Sequence, residues 1–163
     1  MLKLLNQPIA AIGFDFDGVF TDNRVLVDQN GVESVWCHRG DGLGISRLRQ
    51  AGLPMTVISL ETNPVVAARC QKLQLPHNSG IENKRQVFLD WLDDINVAVE
   101  QAIFMGNDIN DLECMAVAGV SVTVADAHPE VLSRADLILS QRGGFGAVRE
   151  LADLLLRNGI NHG

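Results

Sequence analysis

Short apolar runs alternate along this chain with segments whose apolar residues recur at helical spacing. The runs predict buried strands at 9–14, 55–59, 101–105, 120–124 and 137–139. The helical spacing predicts helices at 43–50, 64–73, 84–94, 111–118, 129–134 and 147–156. Strands that alternate with helices form a mainly parallel sheet covered on both faces, so the pattern predicts an α/β fold.

A different pattern follows the first strand. Segments 24–27 and 32–36 favour β structure and flank Asn30-Gly31, which is a strong hairpin signal. We expect this hairpin to lie over the carboxyl end of the first strand. Its residues Val25, Leu26 and Val27 are too apolar for a solvated hairpin, which favours burial in an oligomer.

Composition narrows the class of protein. The 163 residues are 47% hydrophobic with a formal net charge of −7, which predicts one globular domain over residues 1–163 and argues against nucleic acid as a partner. The three cysteines lack metal-ligand spacing and are interpreted as reduced thiols. Met1–Leu5 lacks the features of a leader, and no run reaches membrane-spanning length, so we expect a cytoplasmic protein with no membrane partner.

Polar residues stand where the predicted strands end. In a parallel sheet, ligands bind outside the carboxyl ends of the strands, so these side chains are expected to converge. Asp15 and Asp17 are two apart on an extended segment and face the same side. The remaining members of the predicted site are Ser59, Lys84, Asn107, Asp108 and Asp111.

This combination of side chains suits phosphoryl transfer. Asp15 would attack phosphorus to form an aspartyl phosphate, and Asp17 would act as general acid and base. Ser59 and Lys84 would hold the phosphoryl oxygens. Hard oxygen ligands favour Mg²⁺ as the cofactor. Each residue alone also has an ordinary explanation, such as a strand-end hydroxyl, a solvated lysine or a helix cap, but their order along the chain favours the catalytic interpretation.

The same residues resemble the four motifs of the haloacid dehalogenase superfamily. The motifs are Asp15-Phe16-Asp17-Gly18-Val19-Phe20-Thr21-Asp22, Ser59, Lys84 and Gly106-Asn107-Asp108-Ile109-Asn110-Asp111. The whole chain is similar to a small capless branch that contains 3-deoxy-D-manno-octulosonate (KDO) 8-phosphate phosphatases and nonulosonate (KDN or sialic acid) 9-phosphate phosphatases. The resemblance implies a Rossmann-like three-layer sandwich with a hairpin flap, no cap domain, and a homotetramer in which a neighbouring subunit completes each site.

The resemblance also implies a metal site formed by Asp15, Asp17, Asn107 and Asp108, with Asp111 behind it. Many members carry an acid where this chain has Asn107, whose amide oxygen brings no formal charge. Two assignments therefore stay open at this position: Asn107 binds the metal directly, or Asp108 takes part of that role.

Substrate recognition also has two interpretations. The stretches Val124-Ala125-Asp126-Ala127-His128-Pro129 and Gly143-Gly144-Phe145-Gly146 resemble the octulosonate enzymes, whereas Glu61 with Arg69 and Lys72 resembles the nonulosonate enzymes. Arg69 and Lys72 share a helix face, where they would either meet a substrate carboxylate or form a solvated face. The expected function is a Mg²⁺-dependent phosphatase for a 3-deoxy-2-ulosonic acid phosphate. The alternative is a weakly active oligomerisation module related to the C-terminal domain of CMP-sialic acid synthetases.

Overall fold

Four buried residues, Ala11–Phe14, form a strand at the centre of a parallel sheet in the computed structural model, which describes residues 8–158. The strand order is β5-β4-β1-β6-β7-β8, and every neighbouring pair is parallel. The strands of this sheet are β1 Ala11–Phe14, β4 Met55–Ile58, β5 His77–Asn78, β6 Ala102–Gly106, β7 Val120–Thr123 and β8 Leu137–Ile138. The predicted α/β fold with a mainly parallel sheet is confirmed.

Helices connect these strands and pack in pairs. Helix α1 packs against α6, and α3 packs against α4. The helices are α1 Arg39–Gln50, α2 Pro64–Leu73, α3 Lys84–Asp94, α4 Leu112–Val117, α5 Pro129–Leu132 and α6 Ala147–Asn158, with 3-10 turns at Val99–Gln101 and Ile109–Asp111. Among residues 8–158, none of the helices has the length and apolar character needed to cross a membrane. The expectation about a leader concerns Met1–Leu5, which lies outside the described residues.

The predicted hairpin is present but shorter than expected. Leu26–Val27 (β2) pairs antiparallel with Glu33–Ser34 (β3), and both strands are largely exposed. An isolated bridge between Thr21 and Cys37 closes its base. Within residues 8–158 this hairpin is the sole insertion between the first strand and the first helix, so no cap-sized group of elements interrupts that connection.

Most element boundaries agree with the sequence pattern, and α1 shows the clearest departure. It begins at Arg39 rather than at Leu43, because the side chain of His38 caps it by accepting from the Gly40 N–H (3.2 Å). By local preference alone, the glycines at 40 and 42 predict a loop at these positions. Close packing explains the second one, since a Cβ on Gly42 would stand 3.0 Å from Leu73 on α2.

Aromatic packing next to β1 positions the first motif. Phe14 and Phe16 are fully buried, and both rings contact Phe20, with centroids 5.4 and 5.8 Å apart. Successive residues of an extended segment face opposite sides, so burial of these phenylalanines leaves Asp15 and Asp17 together on the other side, at the carboxyl edge of the sheet. The hydrophobic core therefore helps to orient both carboxylates.

Candidate active site

A buried lysine joins two carboxylates at the end of β1. Asp15 continues the strand by donating its main-chain N–H to the Met105 carbonyl (2.9 Å). Its Oδ1 lies 2.7 Å from Nζ of Lys84, the first residue of α3, and the same Nζ lies 2.8 Å from Oδ1 of Asp111. All three side chains are at least nine-tenths buried. The predicted convergence of Asp15 and Lys84 is therefore present in the structure.

Asp111 also organises the loop that follows β6. Its Oδ2 accepts hydrogen bonds from the main-chain N–H groups of Asn107 (2.9 Å) and Asp108 (3.2 Å). The loop can approach this closely because residue 106 is glycine: a Cβ there would overlap the Asp111 side chain. Asp111 thus holds both Lys84 and the loop in place; its place behind a metal site stays a prediction.

The amide of Asn107 faces two oxygens of the first motif. One terminal atom of this amide lies 2.8 Å from the main-chain oxygen of Asp17 and 3.3 Å from Oδ2 of Asp15. A nitrogen at this position donates to both oxygens, whereas an oxygen completes a set of three oxygens that needs a cation between them. Octahedral Mg²⁺ with ligands at 2.0–2.1 Å places adjacent oxygens about 3 Å apart, which matches both distances.

The donor set at this position therefore fits Mg²⁺, and Asp17 enters it through its main-chain oxygen. Gly18 makes room for this arrangement, because its φ of +78° is unfavourable for other residues and a Cβ there would overlap the Asn107 amide. The Asp108 carboxylate has a different contact. Its Oδ1 accepts from the Ile109 N–H (2.7 Å) at the start of the 3-10 turn.

A residue that sequence analysis did not single out contacts the Asp17 carboxylate. The hydroxyl of Thr21 donates to Oδ1 of Asp17 (3.1 Å) and accepts from the main-chain N–H groups of Gly18 (3.1 Å) and Asn23 (3.2 Å). Thr21 is fully buried. The available signal was its place four residues after Asp17 in the first motif, where a turn returns the chain to the carboxylate.

Burial and crowding of negative charge govern protonation in the site. Burial, and then the charge of Asp111, raise the pKa of Asp15 to about 8, although Lys84 opposes the shift. Burial also raises the pKa of Asp17, with a smaller contribution from Glu61, while the Thr21 hydrogen bond opposes it. Burial lowers the pKa of Lys84, but Asp15 and Asp111 outweigh it and the net shift is upward. The lysine stays charged, and the site favours further positive charge beside Asp15.

Ser59 lies at the same edge of the sheet. It follows β4, is 2% exposed, and its main-chain N–H donates to the Asn78 carbonyl (2.9 Å). The pairing of Phe14 with Val57 places the ends of β1 and β4 side by side. Glu61 is tied to its own loop, because its Oε1 accepts from the N–H groups of Thr62 (2.7 Å) and Asn63 (2.8 Å).

Arg69 and Lys72 are not brought to Asp15 within the protomer. Arg69 lies on α2 and donates through Nη2 to the carbonyl of His38 (3.2 Å), and Lys72 is exposed in the last turn of the same helix. Their contact with a substrate carboxylate stays a prediction.

Comparison with known proteins identifies the family of the chain. A family model described as haloacid dehalogenase-like hydrolase matches residues 78–148. The 3-deoxy-D-manno-octulosonate 8-phosphate phosphatase of Escherichia coli (strain K12) is 37% identical over 151 residues, which is 92% of this chain and 80% of that protein.

Solved structures have the same fold. A structure from Streptomyces avermitilis assigned to the HAD family of hydrolases is 47% identical, with a TM-score of 0.90 over 91% of this chain and 86% of the other. The 3-deoxy-D-manno-octulosonate 8-phosphate phosphatase of Moraxella catarrhalis, in complex with a magnesium ion, a phosphate ion and KDO, is 25% identical with a TM-score of 0.90, over 96% and 90%. The family predicted from the motifs is confirmed. The chain belongs to the haloacid dehalogenase-like hydrolases, in the branch of the 3-deoxy-D-manno-octulosonate 8-phosphate phosphatases, and is an enzyme of the phosphatase class.

Proposed function

We propose that the protein hydrolyses the phosphate monoester of a 3-deoxy-2-ulosonic acid with Mg²⁺ as cofactor and Asp15 as the nucleophile. The observation that carries this proposal is the placement of the Asp15 carboxylate, with Lys84 on one oxygen and the Asn107 amide, which also contacts the main-chain oxygen of Asp17, on the other. One carboxylate oxygen thus contacts a fixed cation, and the second faces a donor set that fits Mg²⁺.

In this mechanism an Asp15 oxygen attacks phosphorus while the bond to the leaving alcohol breaks. Asp17 protonates the leaving oxygen and then takes a proton from the water that hydrolyses the aspartyl phosphate. Lys84 and Ser59 hold the phosphoryl oxygens by charge and hydrogen bond. Bound Mg²⁺ supplies positive charge that offsets the phosphate and keeps Asp15 ionised at neutral pH.

A cavity that shares Lys84 with the site has room for the organic part of a substrate. It has a volume of about 430 Å³ and is lined by apolar Leu60 and Ile109 together with polar and charged side chains, among them Lys84, Arg85, Glu82 and Glu113. This volume lies within the range of small-molecule sites. The substrate of the E. coli relative and the KDO bound to the M. catarrhalis enzyme favour KDO 8-phosphate, whereas Glu61 favours a nonulosonate 9-phosphate.

The proposal includes a homotetramer in which hairpins of neighbouring subunits meet. Val25, Leu26 and Trp36 are 55, 66 and 72% exposed in the protomer, an unusual apolar surface for an isolated hairpin. Burial of this surface would allow a neighbouring Arg69 or Lys72 to complete the site.

The alternative, a weakly active oligomerisation module, has one observation in its favour. Asn107 stands at the metal position without a formal charge, which weakens attraction for a divalent cation relative to a carboxylate. Against it, Asp15, Lys84 and Asp111 form an intact buried ion-pair network.

A phosphate-release assay separates these possibilities. Purified protein with Mg²⁺ is expected to hydrolyse KDO 8-phosphate or a nonulosonate 9-phosphate faster than hexose 6-phosphates that lack the carboxylate. An Asp15→Asn variant, assayed in parallel, controls for contaminating phosphatases. If an intact oligomer releases no phosphate from either sugar acid at saturating Mg²⁺, the module is the better description.

A further inference from the structure

The hydroxyl of Thr21 has all of its hydrogen-bonding capacity in use. A hydroxyl carries one proton and two lone pairs, so it donates once and accepts twice. The N–H groups of Gly18 and Asn23 occupy both lone pairs, which leaves the hydroxyl proton for Oδ1 of Asp17. The direction of the bond between Thr21 and Asp17 is therefore determined by its neighbours.

This fixed direction distinguishes the two oxygens of the Asp17 carboxyl group. Oδ1 accepts a hydrogen bond and acts as the carbonyl-like oxygen, so an acidic proton belongs on Oδ2. We propose that Thr21 is a positioning residue that assigns the proton of Asp17 to Oδ2 and fixes the orientation of the carboxyl group. This role rests on the proposed function, since it concerns the step in which an alcohol leaves phosphorus.

The first step of the proposed reaction transfers the phosphoryl group to Asp15. A bond forms between an Asp15 oxygen and phosphorus, and the bond between phosphorus and the leaving oxygen breaks. The proton on Oδ2 of Asp17 moves to the leaving oxygen, so an alcohol departs and Asp17 becomes a carboxylate. Without the Thr21 hydroxyl, the proton can reside on either oxygen and the carboxyl group can rotate, which lowers the fraction of molecules ready for transfer.

The surrounding backbone holds Thr21 rigidly in this position. An antiparallel bridge to Cys37 ties it to the base of the hairpin. The loop before α6 packs on the same turn, with the Gly144 N–H donating to the Val19 carbonyl (3.1 Å), and a Cβ on Gly144 would overlap the Thr21 main chain. A hydroxyl placed this firmly is suited to fixing the geometry of a catalytic acid.

The dependence on the leaving group tests the proposal. An alkoxide needs a proton to depart, whereas 4-nitrophenolate does not, so only alkyl phosphates depend on the acid. The ratio of kcat/KM for KDO 8-phosphate to that for 4-nitrophenyl phosphate is measured for wild type, Thr21→Val and Thr21→Ser. We expect Thr21→Val to lower kcat/KM for the sugar phosphate about 10- to 100-fold and for the aryl phosphate less than about 3-fold. Thr21→Ser is expected to restore the wild-type ratio.

Two further variants serve as controls. Thr56→Val makes the same chemical change at a buried threonine of β4 whose hydroxyl donates to the Pro76 carbonyl (3.3 Å), and it is expected to leave the ratio unchanged. In an Asp17→Asn background, Thr21→Val is expected to have no further effect on the ratio, because both changes act on the same proton. If circular dichroism shows that Thr21→Val does not fold, Thr21→Cys provides the comparison with a much weaker donor.

The outcomes separate the two proposals. Equal losses for both substrates in a folded Thr21→Val variant overturn the role of Thr21 and indicate a structural contribution only. A wild-type protein that hydrolyses neither KDO 8-phosphate nor a nonulosonate 9-phosphate with Mg²⁺ contradicts the proposed function itself.

Discussion

Asp41 offers a quantitative test of the electrostatics of this fold away from the catalytic groups. It lies in the first turn of α1, is 1% exposed, and its Oδ1 accepts from the Arg149 N–H of α6 (2.9 Å). Among the described residues, Oδ2 has no hydrogen-bond partner. Burial raises the pKa of Asp41 from 3.8 to about 6, against the opposing effects of the Arg149 N–H and of the charges on His38 and Arg69.

The sign of the effect on stability follows from proton binding. Between pH 4 and 6 the unfolded chain loses this proton while the folded protein keeps it, so the contribution of Asp41 to stability falls as the pH rises. A shift of about two pKa units corresponds to about 3 kcal/mol at neutral pH. Asp41→Asn keeps the acceptor for Arg149 and removes the buried charge. We expect the variant to unfold with a free energy about 3 kcal/mol higher than wild type at pH 8 and similar at pH 4.

Urea denaturation followed by circular dichroism at fixed protein concentration, from pH 4 to pH 8, measures this difference. Asp153→Asn is the matched control, because the pKa of Asp153 is lowered: its hydrogen bond with Arg149 (2.9 Å) and the nearby arginines outweigh the opposing effect of burial. Removal of the Asp153 charge is expected to lower the free energy of unfolding at neutral pH, and the difference between this variant and wild type is expected to vanish as the pH falls. An Asp41→Asn variant that is less stable than wild type at pH 8 would refute the reasoning.

The remaining predictions concern the site and the hairpin. Asp15→Asn should abolish phosphate release while the circular dichroism spectrum stays unchanged; measurable turnover would exclude the aspartyl-phosphate mechanism. Lys84→Met leaves two buried carboxylates without their partner and should lower the free energy of unfolding by about 3 kcal/mol, as measured in urea, whereas unchanged stability would show that the pair contributes little. Removal of divalent ions should abolish activity, and Mg²⁺ rather than the larger Ca²⁺ should restore it; equal recovery with Ca²⁺ would argue against an octahedral site. Leu26→Asp should shift the mass measured by light scattering towards the monomer, and an unchanged mass would place the subunit interface elsewhere.

Local patterns in the sequence were sufficient for most of the fold. Apolar runs of strand length and helical periodicity identified the central strands and helices such as α2 and α3, because burial of one face constrains every residue of an element. The predicted start of α1 at Leu43 was wrong, because the glycines at 40 and 42 favour a loop locally. In the structure, the His38 cap and packing against α2 stabilise a helix there. Propensity is a weak preference, and tertiary packing outweighed it.

The sequence by itself determined which chemistry the site can perform, because the residue types and their order after successive strands already indicate phosphoryl transfer. The tertiary structure alone decided which of those residues contact one another. It placed Lys84 between Asp15 and Asp111, brought the Asn107 amide to the main-chain oxygen of Asp17, and directed the Thr21 hydroxyl to the carboxylate. Such contacts depend on distances between segments far apart in the chain and on main-chain atoms that every residue has. The pattern of residue types along the sequence therefore does not predict them.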